Sequence, residues 1–462
     1  MNKHRFSAWA AFLAFVCVVA SCKTLPDADR LPDQPSKATP TVATPRGALD
    51  KKKAAALLAR RWANATPDLK QLAVLEEQAT GVPLIAGNKV DLLFDGPATI
   101  RAMMDAARAA TTSINLETYI FDQDPVGLEF AELLIEKRRQ GVVVNIIADG
   151  VGTLATPKEF FEHLRAGGLN VLIFNPVNPA QRPGKWQLNN RDHRKIMVVD
   201  GKVAFTGGIN ISETYANSSL FRSRMKAGTA DARKVGWRDT HIRIEGPAVA
   251  ALQYAFIDNW VHQDAGELPP SEYFPRLAPQ GDKVMRVLAT SPDRDSEIYK
   301  SLMVAMNEAG KSIHITSAYF VPDQQTVDAL IGAAKRGVDV KLVLPGVSDH
   351  DFIKYAGQSF YDQLLKGGVH IYQLQVAVLH AKTAVIDGVW STVGSSNIDW
   401  RSFLYNDELN AVILGRDFAA QMETMFRADL AHSDEVELDQ WRARPLPLRV
   451  TEWSARLIER GL

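Results

Sequence analysis

The sequence predicts an α/β fold built from two similar halves. Helical and strand patterns alternate along the chain, and a unit of roughly 200 residues occurs twice. The clearest repeated segments are residues 113–121 and 312–320, which are alternating runs rich in β-branched and aromatic side chains. A chain of 462 residues has room for two domains of about 200 residues each.

Each repeated strand lies between two predicted helices. An apolar pattern of helical period precedes the strand, at residues 98–110 in one half and 297–309 in the other. A second helix follows, and then a Gly- and Val-rich strand at residues 141–147 and 337–344. Helices that alternate with strands indicate a largely buried sheet in each half.

The chain divides into five predicted parts. Proline is frequent in residues 23–50, which contain no aromatic residue and so cannot form a core. Proline is frequent again in residues 268–283, which predict the boundary between the two domains. The predicted parts are a signal peptide (1–21), a Pro-rich flexible tether (22–50), a first domain (51–270), a second domain (283–435) and a C-terminal tail (436–462).

The N-terminus predicts export and lipid anchoring. Basic residues precede an apolar run of about 15 residues, which is too short to span a bilayer. The run ends in Val19-Ala20-Ser21-Cys22, which resembles the bacterial lipoprotein signal in which the cysteine is acylated. We therefore expect a periplasm-facing chain anchored at Cys22, in either the inner or the outer membrane. A plain secretory leader is the alternative.

Composition excludes several classes of protein. The 53 basic and 53 acidic side chains balance, whereas a protein that binds nucleic acid by bulk electrostatics has a basic excess. The two cysteines, Cys17 and Cys22, both lie in the leader region. The globular part therefore has no disulfide framework and no cysteine-ligated metal site.

One motif, His-x-Lys-x4-Asp, occurs in both halves. Its copies are 187 positions apart and consist of His193, Lys195 and Asp200, and of His380, Lys382 and Asp387. Alternate residues of a strand share a face, so each histidine and its lysine point the same way. Each aspartate precedes a glycine in a hairpin-turn pattern, so we expect it to brace the turn.

The two motifs together favour phosphodiester chemistry. The second strand of each hairpin ends in a Gly/Ser-rich turn that returns Asn210 or Asn397 towards the histidine and lysine. Two imidazoles, two ammonium groups and two amides would then share one pocket. Cations would bind the non-bridging oxygens, one histidine would attack phosphorus, and the other would protonate the leaving oxygen.

The doubled motif resembles that of the phospholipase D superfamily. The resemblance implies two α/β/α sandwich halves related by a pseudo-twofold axis, with the active site at their interface and no metal or cofactor. That family also has a serine and an asparagine 15 and 17 residues after the histidine; Ser395 and Asn397 match, whereas the first half has Gly208 and Asn210.

The resemblance also implies carboxylates that orient the imidazoles. An acidic residue usually follows the second histidine by 28 positions, and Glu408 has this spacing, so we expect Glu408 to orient His380. The equivalent position in the first half is Phe221, and Asp239 of Trp237-Arg238-Asp239 is the candidate there after a longer insertion. The family pattern assigns nucleophilic attack to His193 and acid–base work to His380.

Three further segments are similar to those of cardiolipin synthases, most of all the C-type bacterial branch. They are residues 117–121, which begin with Glu117, and residues 237–241 and 405–410. This likeness implies phospholipid substrates at a membrane surface, with phosphatidylglycerol as acceptor and either phosphatidylglycerol or phosphatidylethanolamine as donor. It implies no nucleic-acid ligand and no obligate protein partner. The alternatives are a phospholipase D hydrolase, a nucleic-acid phosphodiesterase and a binding protein without activity.

Overall fold

The structure, a computed structural model, describes residues 23–32, 38–62, 69–182, 186–216, 236–263, 265–292 and 296–457. The predicted signal peptide and Cys22 lie outside these ranges. No helix within them is long and apolar enough to cross a bilayer.

Strands and helices alternate along the first part of the chain. Its strands are β1 (Val42–Thr44), β2 (Gly47–Ala48), β3 (Leu84–Leu93), β4 (Ser113–Thr118), β5 (Val143–Asp149), β6 (Asn170–Phe174), β7 (Arg191–Asp192), β8 (Ile196–Val199), β9 (Val203–Gly207), β10 (Trp237–Arg238) and β11 (His241–Glu245). Its helices are α1 (Lys51–Arg61), α2 (Leu69–Thr80), α3 (Gly96–Ala109), α4 (Pro125–Arg139), α5 (Lys158–Ala166), α6 (Glu213–Ala216) and α7 (Val249–His262). Short 3-10 turns occur at Ala28–Arg30 and Pro179–Gln181.

The second part repeats this order. Its strands are β12 (Lys283–Thr290), β13 (Ser312–Ser317), β14 (Phe320–Val321), β15 (Asp339–Val347), β16 (His370–Leu379), β17 (Lys382–Ile386), β18 (Trp390–Gly394), β19 (Ile398–Asp399), β20 (Asn406–Leu414) and β21 (Ser433–Glu435). Its helices are α8 (Glu297–Glu308), α9 (Gln324–Lys335), α10 (Asp351–Gln358), α11 (Tyr361–Lys366), α12 (Trp400–Leu404), α13 (Arg416–Leu430), α14 (Leu438–Arg442) and α15 (Leu446–Arg456).

The two halves share one mixed sheet with a palindromic strand order. Neighbouring strands run β6–β5–β4–β8–β9–β11–β3 in the first half and continue as β12–β20–β18–β17–β13–β15–β16 in the second. The symmetric point is the antiparallel pair of β3 and β12. The predicted α/β fold with two similar halves is confirmed, and the order has the pseudo-twofold relation that was expected.

Helices cover both faces of this sheet. In the first half, α3, α4 and α5 pack on one face through residues such as Met103, Phe130 and Phe160. On the other face, α7 and α13 contribute Leu252, Phe418 and their neighbours to a core that contains strands of both halves. The halves are therefore joined by a common apolar core as well as by the sheet, and the site between them has rigid walls.

The two repeated strands are shorter than the sequence predicts. β4 ends at Thr118 and β13 ends at Ser317. Each terminal hydroxyl donates a hydrogen bond to the carbonyl two residues on, over 2.9 Å in both cases. These local bonds bend the chain out of the sheet. The aromatic residues that follow, Tyr119 and Tyr319, consequently leave the strand and face the candidate site.

The prediction of a flexible tether is wrong for the described part of residues 22–50. Val42 is fully buried in β1, which pairs with β3, and Leu25 packs against the core of the second half. The backbone N–H of Ala28 donates to Gln325 Oε1 over 2.6 Å. The scattered apolar residues among the prolines provide enough buried surface to attach this segment.

Contacts also cross the proposed boundary between the first domain, which begins at residue 51, and the second domain. Helices α1 and α2 contribute Ala54, Leu58 and Leu72 to the core that α8, α9 and β13 form in the second half. The division into residues 51–270 and 283–435 remains a proposal about sequence units. In the folded chain, the first two helices pack with the second unit.

Candidate active site

The two motif histidines lie where the halves exchange short strands. β7, just before His193, pairs in parallel with the start of β20, and β10 pairs in parallel with the end of β16, just before His380. The backbone N–H of His193 donates to Asp407 O over 2.9 Å, and that of His380 donates to Arg238 O over 2.8 Å. Each histidine is therefore held by backbone of the opposite half.

The orienting carboxylates cross the interface in the same way. His193 Nδ1 lies 3.0 Å from Glu408 Oε1, and His380 Nδ1 lies 2.7 Å from Asp239 Oδ2. The expectation that Glu408 orients His380 is wrong. Glu408 follows the two residues of β20 that pair with β7, so the strand exchange places its side chain beside His193. The 28-residue spacing identifies the carboxylate but contains no information about which half it serves.

Each motif lysine lies beside its own histidine. Lys195 Nζ donates to His193 O over 2.6 Å, and Lys382 Nζ donates to His380 O. The ammonium groups also face aromatic rings, at 5.2 Å from the centroid of Tyr119 for Lys195 and 6.0 Å from that of Tyr319 for Lys382. All four motif side chains are buried. The pocket therefore brings two imidazoles and two amines together away from bulk water.

The motif aspartates lie at the far end of the hairpins. Asp200 accepts hydrogen bonds from the backbone N–H groups of residues 111–113, and Asp387 accepts them from residues 310–312. Both aspartates have positive φ, 52° and 55°, and each precedes a glycine with positive φ. They hold the turn and the segment after the preceding helix, as the Asp-Gly pattern predicts, and so position the strand that begins at or just after the motif lysine.

Burial is the largest influence on the pKa values of the four motif side chains. It lowers the pKa of His193 to about 4, although Glu408 opposes the shift, and holds the pKa of His380 well below its usual value. It also lowers the pKa of Lys195 to about 7 and lowers that of Lys382. A phosphodiester anion in this pocket would favour the charged forms of all four groups.

The pKa values of the two carboxylates shift in opposite directions. Burial by itself would raise the pKa of Glu408, but the neighbouring His193 and Lys195 and the hydroxyl of Ser395 bring it to about 2. Burial raises the pKa of Asp239, against the opposing effect of Lys382. Glu408 therefore keeps its negative charge to a lower pH than Asp239 does. His193, beside Glu408, is the imidazole better placed to carry a positive charge.

The Gly/Ser-rich turns explain the missing hydroxyl of the first half. Ser395 Oγ donates to Glu408 Oε2 over 2.5 Å. At the equivalent Gly208, a Cβ atom would lie 2.6 Å from Asp239 Oδ2 and 2.7 Å from its Cγ. The carboxylate of Asp239 already occupies the space of a side chain, so only glycine fits beside it.

The two asparagines differ in environment. Asn210 Oδ1 accepts from the N–H of Ile120 over 3.1 Å, and its Nδ2 donates to the hydroxyl of Tyr215 over 2.7 Å. Asn397 Oδ1 is buried and has no hydrogen-bond partner in the described part of the chain. Asn210 therefore supports the ring of Tyr215, whereas the side-chain oxygen of Asn397 is available to accept a hydrogen bond. Their role towards phosphate stays a prediction.

Glu117 lies behind the motif strand. It pairs in register with Ile196 and accepts a hydrogen bond from Asn259 over 2.8 Å, and Arg194 Nη1 lies 3.9 Å away. Burial raises its pKa to about 7. These contacts give Glu117 a supporting place next to Arg194.

Sequence reasoning missed an aromatic wall around the imidazoles. The ring of Tyr119 lies edge-on to His193 with centroids 5.1 Å apart, and Tyr215 and Trp237 lie 5.5 and 5.1 Å from His380. Tyr119 and Trp237 do fall in the segments that resemble cardiolipin synthases, so a local signal was present. No group of three or more His, Cys, Asp or Glu side chains within the described ranges is placed to bind a metal ion.

The fold and this site define a duplicated phospholipase D-like protein. A crystal structure of phosphatidylserine synthase from Haemophilus influenzae superposes with a TM-score of 0.64 and covers 84% of this chain and 99% of that one, at 14% sequence identity. That likeness shows the fold. Residues 102–220 and 302–430 match the family model described as "Cardiolipin synthase, PLD-like domain".

Sequence relatives agree with the family model. The chain is 34% identical to the cardiolipin synthase of Geobacillus thermodenitrificans over 81% of this chain and 73% of that protein. It is also 34% identical to the major cardiolipin synthase ClsA of Bacillus subtilis, over 80% of this chain and 75% of that protein. The chain belongs to the cardiolipin synthase family of phospholipase D-like proteins.

Proposed function

We propose that the chain is a phosphatidyltransferase that forms cardiolipin from phosphatidylglycerol and a second phospholipid. The observation that carries this proposal is the pair of buried His/Lys sets, in which each imidazole is oriented by a carboxylate of the other half. The relatives named cardiolipin synthases support the substrate class. The donor is phosphatidylglycerol or phosphatidylethanolamine.

The first step transfers the phosphatidyl group to the enzyme. His193 Nε2 attacks phosphorus, because its Nδ1–H donates to the ionised Glu408, which stabilises positive charge on the ring of the N-phosphatidyl intermediate. The bond from phosphorus to the headgroup oxygen breaks, and His380 gives that oxygen a proton. Glycerol leaves when the donor is phosphatidylglycerol, and ethanolamine leaves when it is phosphatidylethanolamine.

The second step transfers the phosphatidyl group to the acceptor. His380, now neutral, takes the proton from a free hydroxyl of the incoming phosphatidylglycerol. That oxygen forms the new bond to phosphorus, the His193–phosphorus bond breaks, and cardiolipin leaves. Lys195 and Lys382 stabilise the charge on the non-bridging oxygens in both steps. All of these groups are side chains of this protein, and the proposal includes no metal or cofactor.

The aromatic wall supports transfer over hydrolysis. Tyr215, Trp237 and Tyr319 surround His380, the histidine that would activate the acceptor. Large apolar rings at this position exclude water and favour a lipid alcohol. We further propose that the chain works at a periplasm-facing membrane surface to which Cys22 anchors it.

The test is product analysis with the purified full chain. It would be incubated separately with phosphatidylglycerol, with phosphatidylglycerol plus phosphatidylethanolamine, and with DNA, and the products would be resolved by mass. Cardiolipin as the main product is expected. Mainly phosphatidic acid would identify a hydrolase, and cleaved DNA would identify a nuclease. Isotope-labelled ethanolamine released in step with cardiolipin would identify the donor.

A further inference from the structure

The last described helix, α15, exposes an apolar stripe. Its members are spaced at four, three and four residues, so they lie on one face of the helix. They are Leu446, Val450, Trp453 and Leu457, with exposed fractions of 70%, 59%, 63% and 67%. The opposite face packs on the body through Glu452 and Ala455, which are buried. The stripe therefore faces outward from a helix that is attached to the protein.

The exposed charge on the outward side of α15 itself is basic. Glu452 is the acidic residue of α15, and its carboxylate is buried and paired with the guanidinium of Arg444. Arg449 is exposed and lies one turn from Leu446 and from Trp453. The outward surface of α15 thus combines apolar side chains with positive charge and has no exposed carboxylate.

The stripe is connected to the active site through α10. Helix α15 packs on α10, which begins just after His350. The ring of His350 lies 6.0 Å from that of Tyr319, and the ring of Tyr319 lies 6.3 Å from that of His380. Phe352, in the first turn of α10, is 42% exposed. Phe352 is therefore an exposed apolar residue on the helix that lies between His350 and α15.

The beginning of the described chain lies near the first motif. Lys23 Nζ donates to Pro292 O over 2.7 Å and lies 5.9 Å from the ring centroid of Tyr405. The carbonyl of Tyr405 accepts from the N–H of Arg191, two residues before His193. Lys23 therefore lies close to the backbone that precedes His193.

We propose that the stripe on α15 docks the mouth of the active site onto the surface of an anionic phospholipid bilayer. Apolar residues with Trp on one face and arginine beside them are typical of helices that lie in a bilayer interface. Four side chains offer a few hundred Å², less than the roughly 800 Å² per partner of a standard protein interface, so a second copy is the poorer fit. This inference rests on the proposed function, because a phospholipid substrate is the reason for the active site to face a bilayer.

A fluorescent probe tests the docking directly. The native cysteines are Cys17 and Cys22, so a cysteine introduced elsewhere in the chain can be labelled with an environment-sensitive dye against a low background. Trp453→Cys in the full chain should show a blue shift on vesicles of phosphatidylglycerol. The matched control is Phe274→Cys. Phe274 is 53% exposed, and its neighbours Tyr273 and Pro275 lie against Gly201, at the hairpin end opposite the histidines.

The outcomes of the probe experiment are distinct. A blue shift at position 453 and none at 274 supports the proposal. No shift at 453 overturns it. A disulfide between two copies through position 453 without vesicles would identify a second copy as the occupant and would also overturn it.

Turnover rates on two substrates distinguish a loss of membrane docking from a loss of catalysis. The double variant Trp453→Asp/Leu457→Asp should lose about tenfold in rate on vesicles and keep its rate on a dispersed short-chain donor, whereas Phe274→Asp should keep both. Equal loss on both substrates would overturn the proposal. A wild-type chain that turns over neither lipid would refute the proposed function, and the probe would still report whether α15 docks.

Discussion

The crossed pairing of histidines and carboxylates predicts two different defects from two similar substitutions. Glu408→Gln removes the negative charge beside His193, and Asp239→Asn removes the carboxylate beside His380. The proposed roles differ, so the defects should appear in different steps. Glu408→Gln should impair formation of the covalent intermediate from any donor. Asp239→Asn should impair it only when the leaving group needs a proton.

The magnitude follows from the geometry at His193. The 3.0 Å separation of Nδ1 and Glu408 Oε1 places the two charges about 4 Å apart, which corresponds to about 4 kcal/mol at an effective dielectric constant of 20. Both groups are buried, so solvent screens this interaction little. Loss of that stabilisation from a transition state with a positive ring slows the step by about 1000-fold.

The assay is single-turnover labelling of the protein by the phosphorus of the donor. Two donors are compared: phosphatidylglycerol, and a phosphatidyl ester of p-nitrophenol, whose leaving group needs no proton. Glu408→Gln should lose about 1000-fold with both donors. Asp239→Asn should be slow with phosphatidylglycerol and within about tenfold of wild type with the activated ester. Peptide mapping should place the label on His193.

A matched control exists away from the site. Glu423 binds His314 Nδ1 over 2.9 Å, so Glu423→Gln breaks a comparable pair outside the motifs and should leave labelling unchanged. A label on His380, or a Glu408→Gln variant that forms the intermediate at the wild-type rate, would refute the reasoning. Equal loss in both site variants with the activated ester would show that the two pairs do not divide the steps.

Four further predictions concern packing, protonation, anchoring and metals. Gly208→Ala should lower the rate at least about 100-fold while the chain stays folded, because its methyl group displaces the Asp239 carboxylate; kinetics and circular dichroism check this. With a dispersed short-chain donor, kcat/KM should fall as pH rises through about 7, where Lys195 loses its proton, and Lys195→Arg should move that fall to higher pH. Cys22→Ser should abolish lipid labelling of the chain and reduce its recovery with membranes after a high-salt wash; full retention would show that another feature holds it. A chelator should leave the rate unchanged, and a large loss restored by zinc or magnesium would contradict the metal-free mechanism.

Local pattern was enough to predict the elements and the reacting groups. The strand with His193 and Lys195 on one side, the Asp200–Gly201 turn and their copies in the second half all follow from side-chain alternation and turn chemistry, which involve neighbouring residues only. Because the motif is duplicated, the sequence also predicts that one fold contains two such strands. The structure has both Asp-Gly turns where the sequence placed them, whereas β8 begins at Ile196 and β17 at Lys382, so that His193, Lys195 and His380 lie just before these strands.

The tertiary structure alone decided which groups meet. Glu408 serves His193 because two short strand pairs cross the interface, and neither pair leaves a pattern in the sequence. The packing of residues 42–80 on the second half and the aromatic wall around His380 are likewise contacts between distant segments. The physical reason is that spacing along a chain determines only which face of an element a side chain occupies, whereas its partners depend on how the elements pack.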